Sequence, residues 1–197
     1  MLADMVKKAA GGRLSRQDWL HAGINAVIDG GVDALAVEPL AARMGTTKGS
    51  FYWHFADRAE LVAAVLDVWE RLATAAIIDE LGQVADPRER LRQLLAVVFR
   101  HADEDRFEHA IHAAAPHPLV APVLARVTAT RLAFLTEIFL ALDLTPARAR
   151  DRARITYAAY LGHLQLRMLD PKGEPSPRAV RRYADELLAV LAPPTHR

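Results

Sequence analysis

Apolar positions recur along this chain with the three-and-four spacing of helices, and after Gly82 no stretch alternates apolar and polar residues as a half-buried strand does. Ser15-Arg16-Gln17-Asp18 is a capping box opening a helix that runs to Gly30-Gly31, with Trp19, Leu20, Gly23, Ile24, Val27 and Ile28 on one face. Leu35 closes the small core beneath it. The next helix starts near Val37, with Pro39 in its first turn, where a missing N–H costs little. Asp57-Arg58-Ala59-Glu60 is a second capping box, and from it Leu61, Val62, Val65, Leu66, Trp69 and Leu72 carry a long helix to about Leu81. After Gly82 helix follows helix. One begins at Asp86-Pro87 with Leu91, Leu94, Leu95, Val98 and Phe99 inward; a shorter one holds Phe107, Ala110, Ile111 and Ala114 and stops at Pro116 and Pro118. Others run from Val120 to Leu142 and from Thr145-Pro146 to about Leu169. A Pro-rich loop at 170–177 precedes a last helix with Val180, Tyr183, Ala184, Leu187, Leu188 and Leu191 on one stripe. The pattern predicts an all-α fold.

Residues 40–55, LAARMGTTKGSFYWHF, organise the rest. Ala41, Gly45 and Phe51 have helix-turn-helix spacing: a small residue where a second helix crosses, a residue tolerant of positive φ at the turn, and an apolar plug between the helices. Thr47, with Thr46 as its rival, caps a short second helix whose outward face carries Lys48, Ser50, Tyr52 and His54. A short helix with long donors and one apolar anchor suits a DNA major groove. The competing reading is an ordinary helical hairpin with its aromatics in the core. Phe51-Tyr52-Trp53-His54-Phe55 is too aromatic for so short a helix unless some rings face outward.

These residues resemble the DNA-binding motif of TetR-family transcriptional regulators (TetR/AcrR-like repressors): a small residue, an apolar residue, then Tyr-aromatic-His-Phe. Here the motif reads Ser50-Phe51-Tyr52-Trp53-His54-Phe55, followed by Asp57-Arg58-Ala59-Glu60-Leu61, and the resemblance covers roughly 15–66. The chain departs from it at Arg58, where Lys is usual, at Ala36, where a capping Ser or Thr is common, and at Glu38, where a neutral or basic residue often meets DNA. The resemblance implies an N-terminal arm and three-helix DNA-binding domain over 1–58, then a helical ligand-binding and dimerisation domain over 59–197. It implies that Tyr52 and His54 reach phosphate, with Arg58 completing the clamp or else forming a surface ion pair. Lys48 and Ser50 would reach base edges, and Gly49 would let the backbone approach, with Arg43, Thr47 and Trp53 close by.

Residues 155–168 are apolar nearly all round, and together with the last helix they offer more apolar surface than one chain needs. In the resembling family the last two long helices build a four-helix dimer interface, and the middle helices enclose a ligand cavity. That implies dimer contacts by Tyr157, Ala158, Ala159, Gly162, Leu166, Tyr183, Leu187 and Leu191, with intramolecular core as the rival. It also implies a largely apolar small-molecule effector among Trp69, Phe99, Phe107, Ile111, Phe134 and Tyr160, its polar groups met by His109, His112 or Arg131. A filled core is the rival for each. The helix beginning at Asp57 joins the DNA-reading part to the rest and is the expected lever.

Charge and chemistry narrow the choice. At this length a chain buries about 70% of its unfolded surface. The net charge is +1 over 197 residues, so no global field draws the chain to nucleic acid. Cations and carboxylates nearly balance within 1–58 as well. A lone copy would bind DNA weakly, which favours a homodimer presenting two patches to a palindromic operator. Lys7 and Lys8 lie in an arm at 1–12 that either touches phosphate or has no role. The absence of cysteine excludes disulfides and thiolate metal sites. No apolar run approaches the roughly 18 residues that span a bilayer, and the start lacks a signal-peptide pattern, so a cytoplasmic protein is expected. His101, His109, His112 and His117, near Asp103, Glu104, Asp105 and Glu108, sketch an alternative: an all-helical metal-binding protein or enzyme. No HExxH or ExxH motif aligns those ligands on one face. The expectation is therefore a ligand-responsive, DNA-binding repressor, not an enzyme, with no metal or cofactor.

Overall fold

The computed structural model describes residues 14–104, 106–169 and 177–192, and of 101–104 and 177 the backbone alone. Among the described residues every regular element is helical. The described residues divide into two compact units, one within 1–72 and 105–126, the other within 73–104 and 127–197.

The first unit holds α1 (Arg16–Gly30), a 3-10 turn (Val32–Ala34), α2 (Val37–Arg43), α3 (Lys48–Tyr52), α4 (Arg58–Glu70) and, from later in the chain, α7 (Arg106–Ala113). The capping box predicted for α1 is present: the Asp18 N–H donates to the Ser15 hydroxyl, and the Ser15 N–H donates to the Asp18 carboxylate at 2.7 Å. The Ser15 N–H and, after it, the Ser15 hydroxyl, each donating to the Asp18 carboxylate at 2.7 Å, hold that carboxyl below its usual range. Gly31, at φ +74°, ends the helix. Where α1 crosses α4, Gly23 leaves no room for a side chain; a Cβ there would lie 3.0 Å from Val65 Cγ2 and 3.2 Å from Leu35 Cδ2. Leu61, Val62, Val65 and Leu66 of α4 are buried, and α7 also packs on α1.

At the start of α4 the Glu60 N–H donates to Asp57 Oδ1 at 2.8 Å, as expected. The Glu60 carboxylate reaches back to the Ala56 N–H instead of that of Asp57, one residue beyond a regular capping box. The helix expected to continue to Leu81 is interrupted: α4 stops at Glu70, a π-helical turn occupies Arg71–Ala75, and α5 covers Ala76–Gly82. The division between the two compact units falls within this turn, between Leu72 and Ala73. Leu61, Val62, Val65 and Leu66, in the first half of α4, are buried in the first unit.

The second unit contains α5, α6 (Pro87–Glu104), most of α8 (Ala121–Ala141), α9 (Pro146–Leu169) and α10 (Pro177–Leu191). Helices α9 and α10 pack on α6. Leu91, Leu95, Phe99, Ile138, Phe139, Ala153 and Leu188 form its core. Among the described residues no helix is long and apolar enough to cross a membrane.

Candidate nucleic-acid interface

Backbone geometry builds this interface before any side chain acts. Helix α2 ends in a Schellman turn: the Gly45 N–H bonds to Ala42 O at 3.1 Å, and the Thr46 N–H bonds to Ala41 O at 2.9 Å. That turn places Gly45 at φ +66°, where a side chain would be strained. Thr47 stands at the N-cap of α3, but its side chain accepts no bond. The expected hydroxyl cap is therefore absent, and packing holds this five-residue helix instead. Phe51 is fully buried, edge-on to Trp19 at 5.2 Å and stacked with Phe55 at 5.5 Å.

The aromatic run thus splits by face. Phe51 and Phe55 point inward, whereas Tyr52 is 52% and Trp53 77% exposed. Lys48 and Gly49 are exposed, and Ser50 and His54 are half-buried. A helical hairpin that kept its aromatics in the core would not leave two large rings in water.

Each described cation between residues 14 and 58 lies beside a carboxylate. Arg16 sits 3.6 Å from Glu60, Arg43 2.9 Å from Asp29, Lys48 2.9 Å from Glu38, and Arg58 3.7 Å from Asp33. The Lys48–Glu38 hydrogen bond, with the attraction between the charges, pushes the Glu38 carboxyl down and the Lys48 ammonium up. Arg58 is half-buried. Its Nε donates to Leu35 O at 2.7 Å and its Nη2 to Val32 O at 3.0 Å, which ties down the loop before α2. A guanidinium that follows a capping Asp can turn back along its own helix, and here two carbonyls from the 3-10 turn region await it.

The residues expected to line one effector cavity divide between the units. Trp69, Phe107 and Ile111 are fully buried in the first. There the Trp69 indole N–H donates to Glu108, a carboxylate only 2% exposed, whose other oxygen lies 3.2 Å from His112 Nε2. In the sequence Glu108 stands out only as one of the carboxylates near the histidines, and its one-turn spacing to His112 is the local signal for this pair. His109 is half-buried in the same unit. Phe99, Phe134, Tyr160 and Arg131 belong to the second unit. Phe99 is edge-on to Tyr160 at 6.3 Å, and the Arg131 guanidinium lies 5.9 Å over the Tyr160 ring.

The expected dimer contacts also separate. Tyr157 and Leu191 are buried in the second unit's own core, the Tyr157 hydroxyl lying 3.2 Å from that of Thr128. Leu187 is half-buried against that core, Ala159 is half-buried and Tyr183 exposed. Ala158, Gly162 and Leu166 are exposed, and Ile155 and Leu169 extend the same stripe of α9.

Among the described residues no three His, Asp or Glu side chains converge on a possible metal position. His117 is otherwise engaged: its Nδ1 accepts from the Leu119 N–H at 3.1 Å, and its Nε2 lies 3.8 Å from Asp33. The side chains of His101, Asp103, Glu104 and Asp105, and the lysines Lys7 and Lys8, lie outside the described residues.

Residues 20–65 match the family described as bacterial regulatory proteins, tetR family. The chain is 35% identical over 89 residues to the HTH-type transcriptional regulator TtgR of Pseudomonas putida, a match covering 43% of this chain and 41% of that protein. It thus spans less than half the length of the curated relatives it matches. The fold is similar to that of SmeT, the repressor of the Stenotrophomonas maltophilia multidrug efflux pump SmeDEF, at TM-score 0.70 and 22% identity, with 92% of each chain covered. It is similar also to AibR, solved with isovaleryl coenzyme A and operator DNA, at TM-score 0.70 and 19% identity, over 91% of this chain and 99% of that one.

Proposed function

We propose that this chain, whose residues 20–65 match the tetR family of bacterial regulatory proteins, is a homodimeric transcriptional repressor that leaves a palindromic operator on binding a small, largely apolar effector. One observation carries the reading: a Schellman turn at Gly45 and a buried Phe51 hold a short helix that keeps Tyr52, Trp53 and Lys48 in water. In this reading α3 enters the major groove. Tyr52 and His54 donate to phosphates, Lys48 and Ser50 meet base edges, and Gly49 lets the backbone come close. Trp53, Thr47 and Arg43 flank the contact. Arg58 serves from behind by fixing the loop before α2.

The exposed apolar stripe of α9 supports the homodimer, since a stripe of this kind marks a protein contact more often than free surface. Support for an effector comes from relatives: AibR is solved with isovaleryl coenzyme A and operator DNA, and SmeT represses a multidrug efflux pump. For this chain the second unit's Phe134, Tyr160 and Arg131 are the proposed contacts, two rings and one cation suited to a ligand with an apolar body and a polar end. Such a protein acts in the cytoplasm, where its operator is. Among the described residues nothing favours the metal-binding alternative.

The test is binding to duplex DNA. The purified chain should shift both random duplex and DNA flanking its own coding region at low salt, and Tyr52→Phe and His54→Ala should each weaken both. Unchanged affinity in the two variants would remove the proposed face.

A further inference from the structure

The Lys48–Glu38 pair joins the starts of α3 and α2, bringing an ammonium and a carboxylate tip to tip at 2.9 Å on the exposed side of the helix-turn-helix. Both side chains are more than half exposed, at 53% and 73%, so packing does not require the pair. Surface pairs of this kind add little stability. A carboxylate there also opposes phosphate. Its presence calls for a reason in DNA recognition, and base-pair geometry supplies one.

In the major groove a G·C pair presents, side by side, guanine N7 and O6 as acceptors and the cytosine N4 amino group as donor. O6 and N4 are themselves joined by a Watson–Crick hydrogen bond of about 2.9 Å. A donor and an acceptor held 2.9 Å apart on the protein therefore match that edge atom for atom. The ammonium donates to O6, with N7 also in reach, while the carboxylate accepts from N4. Against A·T the match is poorer. Thymine O4 and adenine N6 are also neighbours, but the ammonium would then face one acceptor beside the thymine methyl instead of two adjacent acceptors.

Resting on the DNA-binding reading above, we propose that Glu38 and Lys48 act as one unit that reads a single G·C base pair in each half-site, Lys48 on guanine and Glu38 on cytosine. The pair is complete in the free protein, so Lys48 reaches the groove already oriented and Glu38 keeps it from settling on phosphate. Arg43 and Arg16, each beside its own carboxylate, are restrained in the same way. Among the described residues of this part, little cationic reach is left for DNA of the wrong sequence.

The experiment is selection of duplexes from a randomised pool by the wild-type protein, Glu38→Ala and Lys48→Ala, with affinity for random duplex measured beside it. Wild type should fix one G·C pair, in one orientation, per half-site. Glu38→Ala should lose about 5–150-fold of discrimination at that position, the scale of one base contact, while binding random duplex more tightly. Lys48→Ala should relax the same position. If Glu38→Ala tightens binding to every duplex equally and selects the wild-type sequence, Glu38 is only a repulsive charge and the proposal fails. Relaxation at two different positions overturns it too. If the wild-type protein binds no duplex at low salt, the DNA-binding reading itself falls, an outcome distinct from the other two.

Discussion

Arg58 shows how a residue singled out in the sequence can acquire partners that the sequence does not display. Its place after a capping Asp and its match to the resembling motif made it conspicuous in the sequence, and both signals allowed an outward clamp. The carbonyls of Val32 and Leu35 are what the sequence could not display, because they converge on Arg58 only once the 3-10 turn has formed. The expected consequence of Arg58→Ala changes accordingly. Losing charge-assisted bonds to two carbonyls should lower unfolding free energy by about 1.5–3 kcal/mol, measured by denaturant titration, and the salt dependence of DNA binding should keep its slope. A slope lower by roughly one unit, with stability unchanged, would restore the phosphate clamp. Gly23 poses the opposite case. Its role was legible only as one apolar-face position, yet a Cβ would press on Val65 and Leu35. Gly23→Ala should cost about 1–3 kcal/mol by overpacking, enough to appear as a lower melting temperature.

At the scale of elements, periodicity and capping residues located the helices well because both are local. The π-turn at Arg71–Ala75 was not legible. It inserts into a run whose apolar spacing stays helical on either side, and its support comes from far along the chain. Within the second unit Arg131 donates from Nε to the Thr74 hydroxyl at 2.9 Å and from Nη2 to Ala73 O at 3.2 Å. Within the first, Arg126 donates from Nε to Glu70 at 2.9 Å, just before the turn. A π-turn loosens the regular ladder and recurs at functional sites, and this one lies where the chain passes from one unit to the other. Hydrogen bonding to Arg126 holds the Glu70 carboxyl below its usual value of 4.5. A folded-state pKa below the unfolded one adds stability that is full above pH 4.5 and lost as pH falls toward the lowered value. Wild type should therefore be more stable than Glu70→Gln at pH 7, and the difference should shrink on acidification below 4.5. Denaturant titrations at several pH values would show it; a difference independent of pH would mean that Glu70 acts through packing and not through its charge.

For the molecule as a whole, the sequence conveyed an excess of apolar surface on the closing helices, but not which residues carry it. Helical periodicity marks a stripe without saying whether the stripe meets its own chain. Tyr157 and Leu191 turned inward, while Ile155, Gly162, Leu166 and Leu169 were left on the exposed face of α9. The homodimer proposed for this face has a consequence for DNA that no single-chain property shares. A dimer binding two half-sites gains avidity from the second contact, typically about 10²–10⁴-fold over one contact alone, and the half-sites must lie about 34–36 Å apart or a multiple of that spacing. Leu166→Glu puts a charge at 64% exposure, where the folded chain tolerates it and a desolvated apolar interface does not. The variant should keep its helical content and melting behaviour yet sediment as a monomer at concentrations where wild type is dimeric. Its affinity for a two-half-site duplex should fall by about 10²–10⁴-fold, while its affinity for a single half-site stays the same. A variant that still sediments as a dimer would move the partner contact off this face of α9. Equal losses on single and double half-sites would instead mean that the substitution disturbs the reading unit, and the avidity argument would fail.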